Sequence, residues 1–159
     1  MGQENEMIKV EYINPFLQAA TKVFNDMCGI ALRIGKPYMS SPLVTEESII
    51  IMIGITGEVK GQVIITFAHD TTLVIASKMM MMQVTELDEM VNSAIGELGN
   101  MILGNAATIF ATQKISIDIT PPTIGDGKMT FSNAYAQNIC VPLYFDEKQV
   151  NFNIAVKTK

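Results

Sequence analysis

Apolar residues first recur at helical spacing in "INPFLQAATKVFNDMC", residues 13–28, where Phe16, Leu17, Ala20, Val23, Phe24 and Met27 share one face. That spacing predicts an amphipathic helix, with Gly29 as its stop. The period then changes. "ALRIGKPYM" reads as an irregular strand, and "SIIIMIGITGEVKGQVIITFA" as two strands rich in β-branched residues that meet at "GEVKG", a hairpin. "DTTLVIASKMMMM" predicts a shorter helix. "LDEMVNSAIGELGNMILGNAATIFAT" predicts a long one, with Asp88 and Glu89 where the positive end of the helix dipole favours carboxylates. Strands follow at "ISIDITPP", "QNICVPLYF" and "QVNFNIAVK", with turns at "GDGK" and "DEK". The sum is an α+β fold: an antiparallel β-sheet packed against two long helices and one shorter helix.

Ala19, Asn25 and Gly29 of the first helix match Ala94, Asn100 and Gly104 of the long one at an offset of 75, and "GEVKGQVII" matches "DEKQVNF" at an offset nearer 87. These matches point to an internal pseudo-two-fold repeat in which Lys22 stands opposite Glu97, so that Lys22-x-x-Asn25 is a charge-reversed copy of Glu97-x-x-Asn100. The run Met79–Met82 faces all round its helix, and its thioethers are expected to fill gaps between helix and sheet.

Composition narrows the function. With 159 residues and 48% apolar content the chain suits one domain over 1–159 with a real core, yet no apolar run approaches the ~20 residues of a membrane span. "MGQENEMIKVE" has neither the basic region nor the apolar core of a signal peptide, and Glu6 departs from a myristoylation motif, so a cytoplasmic protein without membrane insertion is expected. A net charge of -5 without a basic cluster speaks against nucleic acid as a partner. Cys28 and Cys140 stand far apart with no ligand near either, which leaves reduced, buried thiols and no metal site. His69 is the lone histidine; it sits where a strand ends and Asp70 or Thr71 can cap the next helix, a structural place rather than a catalytic one.

The long helix holds the chemistry. At about 100° per residue, Ser93, Asn100, Met101 and Gly104 all fall within roughly 60° of Glu97 and form one stripe. Val91, Ile95, Leu98, Ile102 and Ile109 fall on another face, the core face. Gly96 and Gly99 share a third face with Leu103 and Phe110, where small residues admit a neighbouring helix closely. Each glycine forgoes about 1 kcal/mol of helix propensity relative to alanine. Gly104 and Ser93 leave small side chains about a turn or two from Glu97 and Asn100, so the pair protrudes. An exposed carboxylate suits an ion pair, and an amide, which does not titrate, can hold a water in line for attack. The metal and the electrophile must then come from a partner; a merely solvated polar face is the other reading of the spacing.

"SAIGELGN" within this helix, with the "PP" of "DITPPTIGDG" twenty residues after Asn100, resembles the CheX branch of the CheC/CheX/FliY phosphatases. "GITGEVKGQVIITF" is similar to the hairpin of that family, and the likeness covers nearly the whole chain. The resemblance implies hydrolysis of the phospho-aspartate of a CheY-like response-regulator receiver, in chemotaxis or another two-component circuit. It makes Glu97 the partner of the receiver's lysine and Asn100 the residue that orients water; Ser93, Met101 and Gly104, on the same helical stripe, are then the expected docking surface around them. Mg²⁺ would be supplied in the receiver, with no cofactor of the chain's own. One intact motif, where CheC-type members carry two, is the CheX pattern. A homodimer is implied too, for which "QVNFNIAVK" offers an edge strand. The alternative is a non-catalytic module that binds a receiver through the same helix.

Overall fold

A computed structural model describes residues 10–129 and 138–158. The first helix, α1 (Val10–Cys28), ends as its pattern predicts at Gly29, which takes the left-handed conformation (φ 64°) and lets Ile30 N–H donate to Phe24 O. Two short strands follow, β1 (Arg33–Ile34) and β2 (Tyr38–Met39). The β-branched runs then form β3 (Ser48–Gly57) and β4 (Val59–Ala68), paired from Ser48↔Ala68 to Ile55↔Gly61, with the turn at Gly57 and Glu58. α2 (His69–Met80) and α3 (Glu89–Thr112) come next, then β5 (Ile117–Ile119), β6 (Thr123–Asp126), β7 (Ile139–Phe145) and β8 (Lys148–Thr158). The predicted strand "QNICVPLYF" opens at Gln137, outside the described residues.

All strand pairs are antiparallel, in the order β1-β7-β8-β4-β3-β5, with β2 also on β7 and β6 also on β3. One face of the sheet supplies Ile49, Ile51, Ile53, Val63, Ile65, Leu143, Val150, Phe152 and Ile154 to the core, at the alternation strands impose. The three helices cover that face. Ile50, Ile64, Cys140 and Ala155 are buried on the opposite face, which is why the run "IIIMIGI" carries so little polar alternation. Full burial of one isoleucine contributes about 1.5–3 kcal/mol, so this sheet is the main store of stability. Where β4 and β8 run closest, a Cβ on Gly61 would stand on Ala155 O; only glycine fits. Among the described residues no helix is long and apolar enough to cross a membrane.

Several local expectations are corrected. β8, expected as a sheet edge, lies between β4 and β7 with backbone pairing on both sides, so the free edges belong to β1–β2 and β5–β6. Gly125 and Asp126 of the predicted "GDGK" turn pair with Ile50 and Ile49 as part of β6; the chain bends only at Gly127 (φ 93°). Met79 and Met80 pack on the core as expected, but Met81 turns left-handed (φ 55°) and ends α2, leaving Met81 and Met82 exposed. α2 starts after Ala68, whose methyl offers no acceptor, so there is no side-chain cap; Asp70 and Thr71 lie inside the helix, where Asp70 Oδ1 accepts from Thr71 N–H at 2.7 Å. His69 Nε2 and Asp126 Oδ1 lie 2.7 Å apart, a structural tie between α2 and β6.

The halves of the chain repeat one plan, a helix, two short strands and a hairpin, and they exchange their short strands. β1 and β2 of the first half pair with β7 of the second; β5 and β6 of the second pair with β3 of the first. The offset of 75 does not survive. It would set Ile102, fully buried, opposite the exposed Met27, and would run α1 past its end. An offset of 86 sets the buried Ile13, Phe16, Leu17, Ala20 and Phe24 opposite the buried Gly99, Ile102, Leu103, Ala106 and Phe110. The helix ends agree to within one residue: Phe24 O accepts from Ile30 N–H and Phe110 O from Ile115 N–H, while the left-handed residues that follow, Gly29 and Lys114 at φ 64°, stand one residue out of that register. Three small or polar matches recur easily at helical spacing, which is how the shorter offset arises. Lys22 is no counterpart of Glu97; it pairs with Asp26 one turn along α1.

Candidate functional site on α3

α3 is fixed at its start by Asp88, whose Oδ1 accepts from Val91 N–H at 2.9 Å as an N-cap. Val91, Ile95, Leu98 and Ile102 are fully buried against the core, and Phe110 meets Phe16 of α1 edge-on with ring centroids 5.3 Å apart. These anchors set the rotation of the helix. They turn Ser93, Glu97 and Asn100 to solvent, as the stripe predicts, while Gly104 and Met101 are half-buried. Met101 leans on the core, so it offers a partner less surface than expected.

Two of the three glycines have a different neighbour from the one predicted. A Cβ at Gly99 would stand 2.9 Å from Ile51 Cγ2 and 3.4 Å from Ile53 Cδ1, so it is the sheet, not a helix, that approaches there. A Cβ at Gly96 would touch Pro122 and Ile124 at an ordinary 3.9 Å. A Cβ at Gly104 would meet no other part of the described residues within 4 Å, in keeping with its place on the outer stripe.

Gly96, Glu97 and Asn100 line one side of a shallow cavity of about 380 Å³, and Ile119, Thr120, Pro121 and Pro122 line the other. The proline turn is pinned to β3: Thr120 N–H donates to Gly54 O at 2.9 Å, and Gly54 N–H donates to Thr120 Oγ1 at 2.8 Å. The cavity thus has one wall of helix and one of rigid turn, with a carboxylate and an amide at its rim. Farther along α3 Asn105 Nδ2 donates to Met101 O and Thr108 Oγ1 to Gly104 O. Glu97 and Asn100 have no such partner among the described residues, and they remain available to something outside the chain.

Among the described residues no group of three or more His, Cys, Asp or Glu side chains is placed to hold a metal ion. Cys28 and Cys140 are free and buried. Burial pushes the Cys28 thiol up to about 11 against a weaker pull from Lys78, and burial raises Cys140 as well. Neither is a nucleophile near neutral pH.

Residues 49–145 match the family described as chemotaxis phosphatase CheX. The chain belongs to the CheX family. It is 33% identical over 148 residues to the CheY-P phosphatase CheX of Thermotoga maritima, covering 92% of this chain and 96% of that one. A CheC-like superfamily protein from Shewanella sp. PV-4 superposes with a TM-score of 0.84 at 28% identity, over 94% of this chain and 99% of its own. CheX of Borrelia burgdorferi, solved as a complex with CheY, BeF₃ and Mg²⁺, superposes at 0.81 with 32% identity, over 94% and 99%. The α+β architecture read from the hydrophobic pattern is therefore the CheX and CheC-like fold.

The corrected internal register brings one further pair into view. At an offset of 86, Glu97 and Asn100 fall opposite Glu11 and Asn14, both exposed. The sequence reading begins the first helix at Ile13, which leaves Glu11 outside it and hides the shared spacing. Glu-x-x-Asn is a spacing that both helices carry.

Proposed function

We propose that this protein hydrolyses the phospho-aspartate of a CheY-like receiver domain. Glu97 pairs with the receiver's active-site lysine, and Asn100 enters the receiver's site and orients the attacking water. The receiver brings the phosphorylated carboxylate and a Mg²⁺ ion. Water oxygen bonds to phosphorus as the bond between phosphorus and the aspartyl oxygen breaks, and its electron pair returns to the carboxylate. Both water protons leave on dihydrogen phosphate, which sheds one to solvent near neutral pH. Nothing in this sequence requires Asn100 to take up a proton. Its amide supplies position, and placement with electrostatics carries catalysis, as with the glutamine that orients water in GTPases.

The observation that carries the reading is the exposed Glu97–Asn100 pair, without a partner among the described residues, at the rim of the cavity walled by Pro121 and Pro122. Ser93 and Gly104, small and on the same stripe, leave the approach to it clear. The reading puts the protein in the cytoplasm with its receiver. A homodimer joined sheet to sheet would use β1–β2 or β5–β6, because β8 has no free side.

The test is the lifetime of a phosphorylated CheY-type receiver with and without the protein. A shortened lifetime with stoichiometric phosphate release is expected. A lifetime unchanged or prolonged, with binding retained, would instead establish the non-catalytic module.

A further inference from the structure

We propose that Thr120 is a positioning residue for the dephosphorylation proposed above, its hydroxyl locking a two-proline bulge that forms one wall of the Glu97–Asn100 cavity. The inference rests on that function and begins with the strand register. β5 and β6 run along the same side of β3 as one interrupted strand. Thr120 lies opposite Gly54, and Thr123 opposite Met52. Between those pairs β3 has a single residue, Ile53, while the other strand has two, Pro121 and Pro122. Two residues facing one make a β-bulge, a device that re-aims side chains beside functional sites. Regular alternation would send one proline to each face of the sheet. Here both line the cavity with Glu97 and Asn100, on the face where Ile53 lies under Gly99 of α3.

Prolines cannot pin such a bulge themselves, because they have no N–H to give to β3. Thr120 supplies the missing bonds. Its N–H donates to Gly54 O at 2.9 Å, as in a regular ladder, but the return bond does not run to its carbonyl: Gly54 N–H donates to Thr120 Oγ1 at 2.8 Å. The same hydroxyl donates to Pro121 O at 3.3 Å. One side-chain oxygen thus takes a bond from β3 and gives one to the bulge. β3 is cut back to receive it, since a Cβ at Gly54 would stand 3.1 Å from Thr120 Cγ2. Thr120 is exposed, so the core does not call for it.

The buried face of α3 sets Glu97 and Asn100 on one side of the cavity, and the Thr120 lock sets the prolines on the other. A receiver seated between two fixed walls meets Asn100 at one depth, with the water in line with phosphorus. A wall free to shift would still admit the receiver but would blur that alignment, and small misplacements cost rate more than affinity.

The test measures kcat and KM for phosphate release from a CheY-type receiver phosphorylated with phosphoramidate in Mg²⁺, using the full chain. Thr120→Val keeps the shape and removes the hydroxyl. Its kcat should fall about tenfold with KM held within about twofold, whereas Thr120→Ser, which can make both bonds, should stay within about twofold of the unaltered protein in each constant. The melting temperature of Thr120→Val should move by only about 2 °C, as expected for an exposed position. Gly54→Ala presses on the lock from β3 and should also lower kcat; adding Thr120→Ser, which lacks Cγ2, should restore it. This second pair of variants decides the matter should Thr120→Val not fold. Full kcat in Thr120→Val would overturn the lock, as would a change confined to KM, a Thr120→Ser as slow as Thr120→Val, or a Gly54→Ala that Thr120→Ser does not rescue. An unaltered protein that leaves the receiver's lifetime unchanged would instead overturn the function on which the inference rests.

Discussion

α3 meets the sheet through Gly99, and α1 carries the buried Ile13 at the equivalent place. The two helices share a pattern of burial and a pattern of capping, but α3 holds Gly96, Gly99 and Gly104 where α1 holds no glycine at all. At about 1 kcal/mol each relative to alanine, these three residues remove a sizeable part of the helix's intrinsic stability. Gly99 turns that loss into close approach: without a side chain the helix settles onto Ile51 and brings its Glu97–Asn100 turn beside the prolines. Gly104 turns it into clearance. The half that gives up helix propensity is the half whose polar pair sits against a formed cavity, so local instability marks the candidate site.

The strongest way to break this comparison is Asn100→Ala. Dephosphorylation of a CheY-type receiver should fall by about tenfold or more, at least ~1.4 kcal/mol of transition-state stabilisation, with receiver binding largely kept. Turnover within a few-fold of the unaltered protein would remove Asn100 from the mechanism. Gly99→Ala sharpens the structural side. The added methyl meets Ile51 Cγ2 at 2.9 Å, on a β-branched side chain with little room to move. Overpacking of about 1–3 kcal/mol should outweigh the gain in propensity, and denaturant unfolding should show a net loss. A net gain in stability would mean that the helix does not press on β3 as described.

Glu97→Gln keeps shape and removes charge, and it should weaken receiver binding by a few-fold while flattening its dependence on salt, measured by titration at two ionic strengths. Identical salt dependence would exclude the ion pair. Gly104→Leu should hold or raise stability, by up to about 1 kcal/mol, while lowering activity through obstructed docking. A large fall in its melting temperature would show that this face is packed against the protein itself.

The smallest expected effect lies at the end of α1. Cys28 is held protonated by burial, its pKa raised from 9.0 to about 11. A raised folded-state pKa stabilises the fold fully below the unfolded value, and that contribution is lost as pH climbs from about 9 through 11. Unfolding midpoints should drop across that window, less so in Cys28→Ala. An unchanged slope in the variant would assign the loss to other groups.

Much of this molecule is legible in the pattern of its residues. The periods of 3.6 and 2 locate the three helices and the central hairpins, and the wheel of α3 separates Glu97 and Asn100 from Val91, Leu98 and Ile102. Partners across space are less legible. β8 reads as an edge because alternation reports which faces are buried and is silent about which strands lie alongside. Gly96 and Gly99 read as a helix contact because small residues announce close approach without naming the neighbour. The repeat is misregistered for a related reason: Ala19, Asn25 and Gly29 are residue types that recur by chance, whereas burial, which settles the offset, emerges only with the fold. Met81 leaves its helix through a backbone conformation that no side-chain pattern encodes.

The exchange of short strands between the halves governs how the chain reaches this state. During synthesis β3 and β4 can close as a hairpin at once, but the partner on the outer side of β3 and the partner on the far side of β4 are both encoded later. Thr66, for example, waits for Asn151. Loop closure over that distance is slow compared with local pairing, so the flank of β3 stands open until β5 and β6 have been made and the flank of β4 until β8 has. A released N-terminal half would carry those open flanks permanently, with Ile49, Ile51 and Ile65 lacking much of their cover, and would be prone to edge-to-edge association. Interlocking therefore ties the solubility of each half to the completion of the other.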